Sequence, residues 1–205
     1  IEAAVFGSVA LPRWPPTDER LVPHSTGFHE TPGHAAVLEE MARALAMGEK
    51  ALCLVSNQGL GKNMLADYLA ACWGREREYT HLHRDTTVQQ LTVTPTVQGG
   101  VVSYGESPLV RAARLGRLLV LDEADKAPVE VVAVLKGLLE GDMTLADGRR
   151  LVEHGAGAPS DDQTVSIHPR FAMLVLANRP GWPFHGNNLH AALGDMMPFL
   201  SVEPL

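Results

Sequence analysis

The residues most able to do chemistry lie in a glycine-containing run from Ser56 to Asn63. Gly59 and Gly61 can adopt backbone angles that are closed to other residues, so successive N–H groups can point at phosphate oxygens beside the start of a helix. Lys62 would place a positive charge against the β- and γ-phosphates. The run is therefore predicted to be a loop that binds a nucleoside triphosphate.

Two positions of this loop differ from the usual pattern G-x-x-x-x-G-K-[ST]. Ser56 replaces the first glycine, which is a mild change if its backbone angles are ordinary. Asn63 stands where a Ser or Thr hydroxyl usually binds Mg²⁺; an amide oxygen can take that place, although Mg²⁺ demands near-octahedral geometry. We expect nucleotide to bind with weaker metal coordination from the loop. Further contacts to the nucleotide are predicted from the rest of the loop, namely Asn57, Gln58, Leu60 and Met64.

Polar side chains follow two other apolar runs. After Leu118–Leu121, Asp122 is placed to hold Mg²⁺ directly or through water, and Glu123 to orient and deprotonate the attacking water. Asn178 ends the run Phe171–Ala177 and could contact the γ-phosphate or that water. Ligands bind at the carboxyl ends of strands in parallel sheets. These residues are therefore predicted to share a site with the glycine loop.

Each motif also has a plain structural interpretation. Gln58–Lys62 could be a glycine turn, the paired acids could cap the next helix, and Asn178 could be a turn residue before Pro180. The occurrence of loop and acidic strand in one chain favours the nucleotide site. Asp125 and Lys126 are interpreted only as a turn and a helix start.

The elements that must position these residues alternate between strand and helix, which predicts a three-layer α/β sandwich with a mainly parallel, five-stranded sheet. Residues 1–33 are predicted to be an irregular lead-in, and residues 34–205 one core domain. The predicted segments are the strands Ala51–Val55, Glu78–His83 and Phe199–Val202, the helix His34–Met47, hairpins at Leu91–Ser103 and Met143–Val152, and a mobile loop at Gly155–Gln163.

Composition narrows the function classes. A chain of 205 residues suits one domain with a sizeable core, and its net charge of −7 argues against an electrostatic nucleic-acid surface. No apolar run approaches the roughly 20 residues of a membrane span. Cys53 and Cys72 fall in a predicted core strand and helix, consistent with reduced thiols in an intracellular compartment. Arg111, Arg114 and Arg117 are interpreted as a solvated helix face or a subunit contact.

Together these motifs resemble the AAA+ ATPases, a family of P-loop NTPases. The run around Ser107–Ala112 and Gly116–Ala127 is similar to the MoxR and dynein-related branch. A narrower similarity, to members that carry a von Willebrand A domain, rests on Asn57–Asn63, His83–Gln89, Leu145–Arg150 and Leu176–Gly181. In those members the loop also has Asn after Lys, so the resemblance implies that Asn63 is a family trait. The similarity extends from about Pro23 to about Asp195.

The resemblance implies an ATPase that uses ATP and Mg²⁺ within a ring-forming remodelling machine. Asp122 and Asn63 would contact the metal, Glu123 would be the base and Asn178 the sensor. The domain would work in a homo-oligomeric ring or beside further AAA+ modules, with a von Willebrand A domain on the same polypeptide. A mitochondrial location in animals, or a cytoplasmic one in bacteria, would follow. Since the chain begins with Ile1, it is expected to be a fragment without its targeting region.

Two features of such ATPases are not expected within these residues. The window 185–198, where an arginine finger would precede the fifth strand, contains no Arg or Lys, and the C-terminal helical lid would follow Leu205. A finger is worth about 10³–10⁵ in rate in GTPases. We therefore expect slow hydrolysis by the chain alone. The alternatives are a nucleotide-gated structural module with little turnover and, more remotely, a kinase or GTPase, although no Asn-Lys-x-Asp motif occurs.

Overall fold

The computed structural model describes residues 2–153, 163–181 and 186–203, with the backbone alone at 96, 98 and 101–103. The strands are β1 (Ala3–Phe6), β2 (Val9–Pro12), β3 (Ala51–Ser56), β4 (Arg77–His81), β5 (Val93–Gln98), β6 (Val101–Glu106), β7 (Leu118–Asp122), β8 (Asp142–Thr144), β9 (Arg150–Glu153), β10 (Thr164–Ile167), β11 (Ala172–Asn178) and β12 (Phe199–Ser201). The helices are α1 (Pro32–Ala46), α2 (Lys62–Trp73), α3 (Val88–Thr92), α4 (Pro108–Leu115), α5 (Val129–Leu139) and α6 (Leu189–Leu193). Short 3₁₀ turns lie at Glu19–Leu21, Ala124–Lys126 and Gly194–Met196.

A five-stranded parallel sheet forms the middle of the fold, with the strand order β12-β3-β11-β7-β4. In the central strand β11, Met173–Asn178 pair with Ala51–Ser56 of β3, and Ala172–Val175 pair with Leu118–Leu121 of β7. These strands are buried along nearly their whole length, as expected of unbroken apolar runs in a parallel sheet. Because the strands run in one direction, their carboxyl ends meet at one edge of the sheet, where ligands bind in such folds.

Helices cover both faces of the sheet and complete the predicted three-layer α/β sandwich. One buried cluster joins α1 and α2 to the sheet through Leu38, Met41, Leu65, Leu69, Leu52, Leu54 and Leu174. The other joins α4 and α5 to the opposite face through Leu109, Val110, Val132, Leu135, Cys53, Leu121 and Val175. The alternation of the strand residues between the two clusters follows from the two-residue period of a strand.

The centre of this core gives a direct stability test. Leu174 is fully buried in β11, in the cluster shared with α1 and α2. Replacing Leu174 by Ala should lower the free energy of unfolding by about 2–5 kcal/mol, because the cavity left behind can close only partly. Chemical denaturation would measure the change. Met47→Ala, at a position 81 % exposed, should cost about 0.5 kcal/mol or less. Equal effects at the two positions would contradict the layered core.

The amino-terminal segment differs from the prediction of an irregular lead-in. β1 and β2 form an antiparallel hairpin, and its residues Ala4, Phe6 and Leu11 are buried in the cluster of α1 and α2. The prediction was wrong for residues 3–12 because burial alternates over strands of only four residues, while the neighbouring prolines indicate a loop. α1 begins at Pro32, two residues earlier than predicted, since Thr31 caps it by accepting the N–H of His34.

Both predicted hairpins are confirmed at the level of the backbone. β5 and β6 pair across Gly99 and Gly100, and β8 and β9 pair across a turn containing Asp147 and Gly148. β10 adds to β9 in parallel, a pairing that the sequence did not indicate. Residues 155–162 of the predicted mobile loop lie outside the described ranges. In the described part of the chain, no helix combines the length and apolarity that a membrane crossing needs.

The three arginines near α4 belong to an ion-pair network. Arg111 and Arg117 both contact the carboxylate of Glu78, at 2.8 and 2.7 Å, and Arg114 contacts Glu106 at 2.8 Å. The side chain of Arg117 is only 12 % exposed. The interpretation as a solvated helix face is therefore wrong for Arg117, which follows the helix and is held against β4.

Candidate nucleotide-binding site

A cavity of about 340 Å³ lies at the carboxyl ends of β3, β7 and β11. Its wall is formed by Gln58, Gly59, Gly61, Lys62, Asn63, Met64, Asp122, Glu123, Asp125, Leu176, Ala177 and Asn178. The structure thus brings the glycine loop together with the polar residues that follow the other two strands. Of the predicted contacts, Asn57 and Leu60 belong to the loop but do not line this cavity.

The backbone of the loop has the conformation that a phosphate cradle needs. Gly59 and Gly61 have φ angles of +85° and +77°, which other residues rarely adopt. A Cβ on either would meet nothing within 4 Å, so the backbone angle rather than crowding requires glycine here. Gly61 precedes α2 without a side-chain cap. The free N–H groups of the first turn, together with the helix dipole, therefore suit an anion such as phosphate.

Lys62 is held inside the loop by four oxygen atoms. Its three N–H donors are shared among Ser56 Oγ at 3.0 Å, Ser56 O at 3.3 Å, Asn57 O at 3.2 Å and Asn178 Oδ1 at 3.1 Å. Ser56 is buried, and its hydroxyl in turn donates to Asn57 O at 2.8 Å. Burial lowers the pKa of Lys62, while the charge of Asp125 acts in the opposite direction. The serine that departs from the usual pattern therefore serves as a partner of the lysine.

Asp122 is fixed by three hydrogen bonds. Its Oδ2 accepts from Tyr79 Oη at 2.6 Å and from Asn63 Nδ2 at 2.7 Å, while Oδ1 accepts the N–H of Glu123 at 2.9 Å. Burial, followed by this bond to Asp122, raises the pKa of Tyr79, so the phenol stays protonated and donates. The carboxylate suits Mg²⁺, which prefers oxygen ligands. Asn63 turns its nitrogen to Asp122, which leaves Oδ1 as the atom with which it could bind a metal.

Glu123 has a strained backbone and two basic neighbours. Its φ of +54° is the only positive value at a non-glycine residue in the described ranges, and such strain is common at active sites. Oε1 accepts from Lys126 Nζ at 2.5 Å, and Oε2 lies 3.1 Å from His81 Nε2. Sequence reasoning did not place either residue here: Lys126 was interpreted only as part of a turn, and His81, at the end of β4, reaches Glu123 only in the folded chain.

Asn178 lies between a carboxylate and an ammonium. Its backbone N–H donates to Asp125 Oδ1 at 3.0 Å and its Nδ2 to Asp125 Oδ2 at 3.3 Å, while its Oδ1 accepts from Lys62. Asp125 lies in a turn, as predicted, but it is 2 % exposed and lines the cavity, which the interpretation as a turn residue did not include. The only local signal was its position three residues after Asp122, within one turn of the acidic pair.

Comparison with known proteins agrees with this geometry. The sequence model of the AAA domain (dynein-related subfamily) matches residues 51–197, which include the glycine loop and the polar ends of β7 and β11. The chain belongs to this family. The predicted resemblance is thereby confirmed, and the chain is an AAA-family ATPase domain.

The chain is similar to segments of longer relatives. It is 49 % identical over 199 residues to von Willebrand factor A domain-containing protein 8 of Mus musculus, covering 97 % of the chain and 10 % of that protein. It is 30 % identical over 157 residues to midasin of Dictyostelium discoideum, covering 76 % of the chain and 2 % of midasin. NorQ of Paracoccus denitrificans is 29 % identical over 141 residues, covering 68 % of the chain and 47 % of NorQ. The chain therefore spans a tenth or less of the first two relatives and about half of the third.

The fold of the AAA domain is also found among solved structures. The crystal structure of an ATPase candidate from Cytophaga hutchinsonii superposes with a TM-score of 0.56 and 16 % identity, over 84 % of this chain and 49 % of that one. At this identity the likeness shows the fold alone, which is the predicted P-loop AAA core.

Tyr79 offers a test of the prediction that Asp122 binds Mg²⁺. Replacing Tyr79 by Phe removes the hydroxyl that donates to Asp122 Oδ2 and should weaken Mg²⁺ binding by about tenfold, because partners that orient a ligating carboxylate are typically worth 10–100-fold. Calorimetric titration of Mg²⁺ into the ADP complex would measure it. Tyr104→Phe makes the same chemical change at a position 67 % exposed and should leave affinity unchanged. Equal affinities for Tyr79→Phe and the wild type would exclude this role.

Proposed function

We propose that this AAA domain binds ATP together with Mg²⁺ and hydrolyses it. The observation that most supports the proposal is the convergence of Lys62, Asp122, Glu123 and Asn178 on the glycine loop in a single cavity of about 340 Å³. A triphosphate requires N–H donors and a cation, the metal requires oxygen ligands, and attack by water requires a base. The wall of this cavity supplies each of these groups.

The role of each side chain follows from its chemistry. Lys62 would neutralise phosphate charge, and Asp122 would bind Mg²⁺, with Asn63 Oδ1 as a second candidate ligand. When bound, the ion would supply positive charge against the phosphate oxygens. Glu123 would accept a proton from the attacking water, and Asn178 would orient that water or contact the γ-phosphate. Lys126 Nζ donates to Glu123 Oε1 at 2.5 Å, which holds the proposed base in place.

We further propose that the domain is one module of a ring, built from copies of this chain or from further AAA domains on the same polypeptide. The window 185–198 offers no Arg or Lys to a neighbour, so the cation that completes the site would come from elsewhere. A von Willebrand factor A domain, as in the name of the mouse relative, would accompany it. Hydrolysis would then drive remodelling, in an intracellular setting that is mitochondrial in an animal and cytoplasmic in a bacterium.

A nucleotide-gated structural module is the second candidate. Two observations favour it. The amide nitrogen of Asn63, rather than an oxygen, faces Asp122, and the carboxylate of Glu123 is already engaged by Lys126 and His81. Such a module would bind ATP to hold an assembly together and would turn over little.

Calorimetry and phosphate release on the same sample would distinguish the candidates. ATP should bind with micromolar affinity, more tightly with Mg²⁺ than without it. Phosphate release per molecule should rise with protein concentration if neighbouring copies complete the site. Tight binding without release at any concentration would favour the structural module, whereas no binding would reject the assignment of the cavity to nucleotide.

A further inference from the structure

Asp125 is a buried carboxylate in the cavity wall. The proposed mechanism of ATP hydrolysis gives it no role. It is 2 % exposed, and burying an ionised carboxylate is costly unless its oxygens are hydrogen-bonded. Both oxygens are bonded to Asn178, one to the backbone N–H and one to the side-chain amide. Both hydrogen bonds of the Asp125 carboxylate are therefore made with the single residue proposed to contact the phosphate or the attacking water.

The carboxylate of Asp125 is also held in position from its other side. A Cβ on Gly186 would lie 2.5 Å from Asp125 Oδ2, so the backbone at Gly186 packs directly against the carboxylate. The N–H of Asn187 donates to Asp125 O at 2.6 Å, which ties the same segment to the turn. The position of the carboxylate is thus fixed by packing as well as by its bonds to Asn178.

The two neighbours of the Asn178 amide determine which way it faces. A carboxylate can only accept hydrogen bonds and an ammonium can only donate them. Asp125 Oδ2 therefore requires the nitrogen of the amide, and Lys62 Nζ requires its oxygen, as observed at 3.3 and 3.1 Å. An inverted amide would place a donor against the ammonium and two acceptors against each other. Both contacts consequently favour the same orientation.

We propose that Asp125 is a positioning residue that holds Asn178 with its amide oxygen toward the phosphate end of the cavity. This inference rests on the proposed function. Asp125 takes one N–H of the amide, and the oxygen that accepts from Lys62 is the atom of Asn178 that is held toward the phosphate end. Phosphate oxygens are themselves acceptors, whereas a water O–H is a donor. An oxygen held there can accept from the attacking water but cannot bond to a phosphate oxygen, so the proposal assigns Asn178 to orientation of the water rather than to contact with the γ-phosphate.

The first experiment observes the amide itself and does not depend on activity. In the ¹⁵N-labelled chain, the side-chain NH₂ signals of Asn178 are identified by their loss in Asn178→Ala. The Asp125→Asn variant should shift these signals toward the position of a solvent-exposed amide, because an amide at 125 no longer offers two acceptors. Asp142→Asn removes one negative charge from an exposed hairpin and should leave them unchanged. Unchanged Asn178 signals in Asp125→Asn would overturn the proposal.

The second experiment distinguishes water from phosphate as the partner of Asn178. ADP with beryllium fluoride mimics the ground-state phosphate, and ADP with aluminium fluoride mimics the state in which water attacks. Asp125→Asn should bind the beryllium complex within about twofold of the wild type and the aluminium complex about tenfold more weakly, the worth of one hydrogen bond to a charged centre. Equal losses for both would assign Asn178 to the phosphate and overturn the proposal.

A double variant that exchanges the two residues tests whether the effect of Asp125→Asn comes only from perturbed folding. Asp125→Asn combined with Asn178→Asp restores a donor–acceptor pair between the two positions and again presents an acceptor to Lys62. Its affinity for the aluminium complex should exceed that of Asp125→Asn, and failure to recover it at wild-type stability would count against positioning. If the wild type binds neither complex, the proposed function fails while the amide signals still decide the orientation of Asn178.

Discussion

Replacing Glu123 by Gln should abolish phosphate release while ATP remains bound. The amide has the size of the carboxylate but cannot take a proton from water, so the contribution of a general base, about 10²–10⁴ in rate, is lost. Lys62 and Asp122 are unchanged in this variant, and they are the groups expected to hold the phosphates and the metal. Affinity for ATP should therefore change little, which separates loss of chemistry from loss of binding.

The surroundings of Glu123 make this substitution informative. Lys126 lies 2.5 Å and His81 3.1 Å from its two carboxylate oxygens, so the side chain is placed by the fold before any ligand arrives. Phosphate release at saturating ATP and calorimetry would be compared with those of Glu40→Gln, the same change on the exposed face of α1. Release that persists in Glu123→Gln would assign the base elsewhere. Absence of release from the wild type as well would favour the structural module.

The parts of the fold that were predictable are those with strong local patterns. Unbroken apolar runs at Leu118–Leu121 and Phe171–Ala177 correspond closely to β7 and β11, because strands buried on both faces need apolar residues throughout. β10 was missed because Thr164–Ile167 is short and is fixed by pairing with β9 rather than by its own pattern. Short strands are decided by tertiary contact, which local propensity does not contain.

The residues of the site also fall into a group that was predictable from the sequence and a group that was not. Gly59, Gly61 and Lys62 were predictable because a phosphate loop is one contiguous segment with a known backbone requirement. Tyr79 and Asp125 were not, since they act across 43 and 53 residues of sequence, on Asp122 and Asn178 respectively. No spacing rule connects residues on different strands. Their roles become visible only when the sheet brings the strand ends together.

The two departures from the usual loop pattern become intelligible in the structure. Ser56 is buried, and its hydroxyl oxygen accepts a hydrogen bond from Lys62, a partner that glycine could not supply. Asn63 donates to Asp122, on the oxygen that also accepts from Tyr79. Both substitutions thus add hydrogen bonds within the site.

Replacing Lys62 by Ala should remove ATP binding. The ammonium is partly buried and lies among oxygen atoms of the loop and of Asn178, where its charge would act on phosphates with little screening by water. Truncating one partner of a desolvated charge pair costs about 2–5 kcal/mol, which is about 30- to 4,000-fold in affinity. A micromolar complex would thus weaken to the edge of detection, and hydrolysis would be lost with it.

Calorimetry with ATP and Mg²⁺ would measure this loss, and thermal unfolding would show that the variant is folded. Lys136→Ala is the matched control, because that lysine lies on the exposed face of α5 and contacts only Glu140, at 4.0 Å, among the ion pairs of the described residues. Retained affinity in Lys62→Ala would mean that the loop does not hold the phosphates. Gly59–Lys62 would then be a structural turn. The charged residues around it would bind a ligand other than ATP.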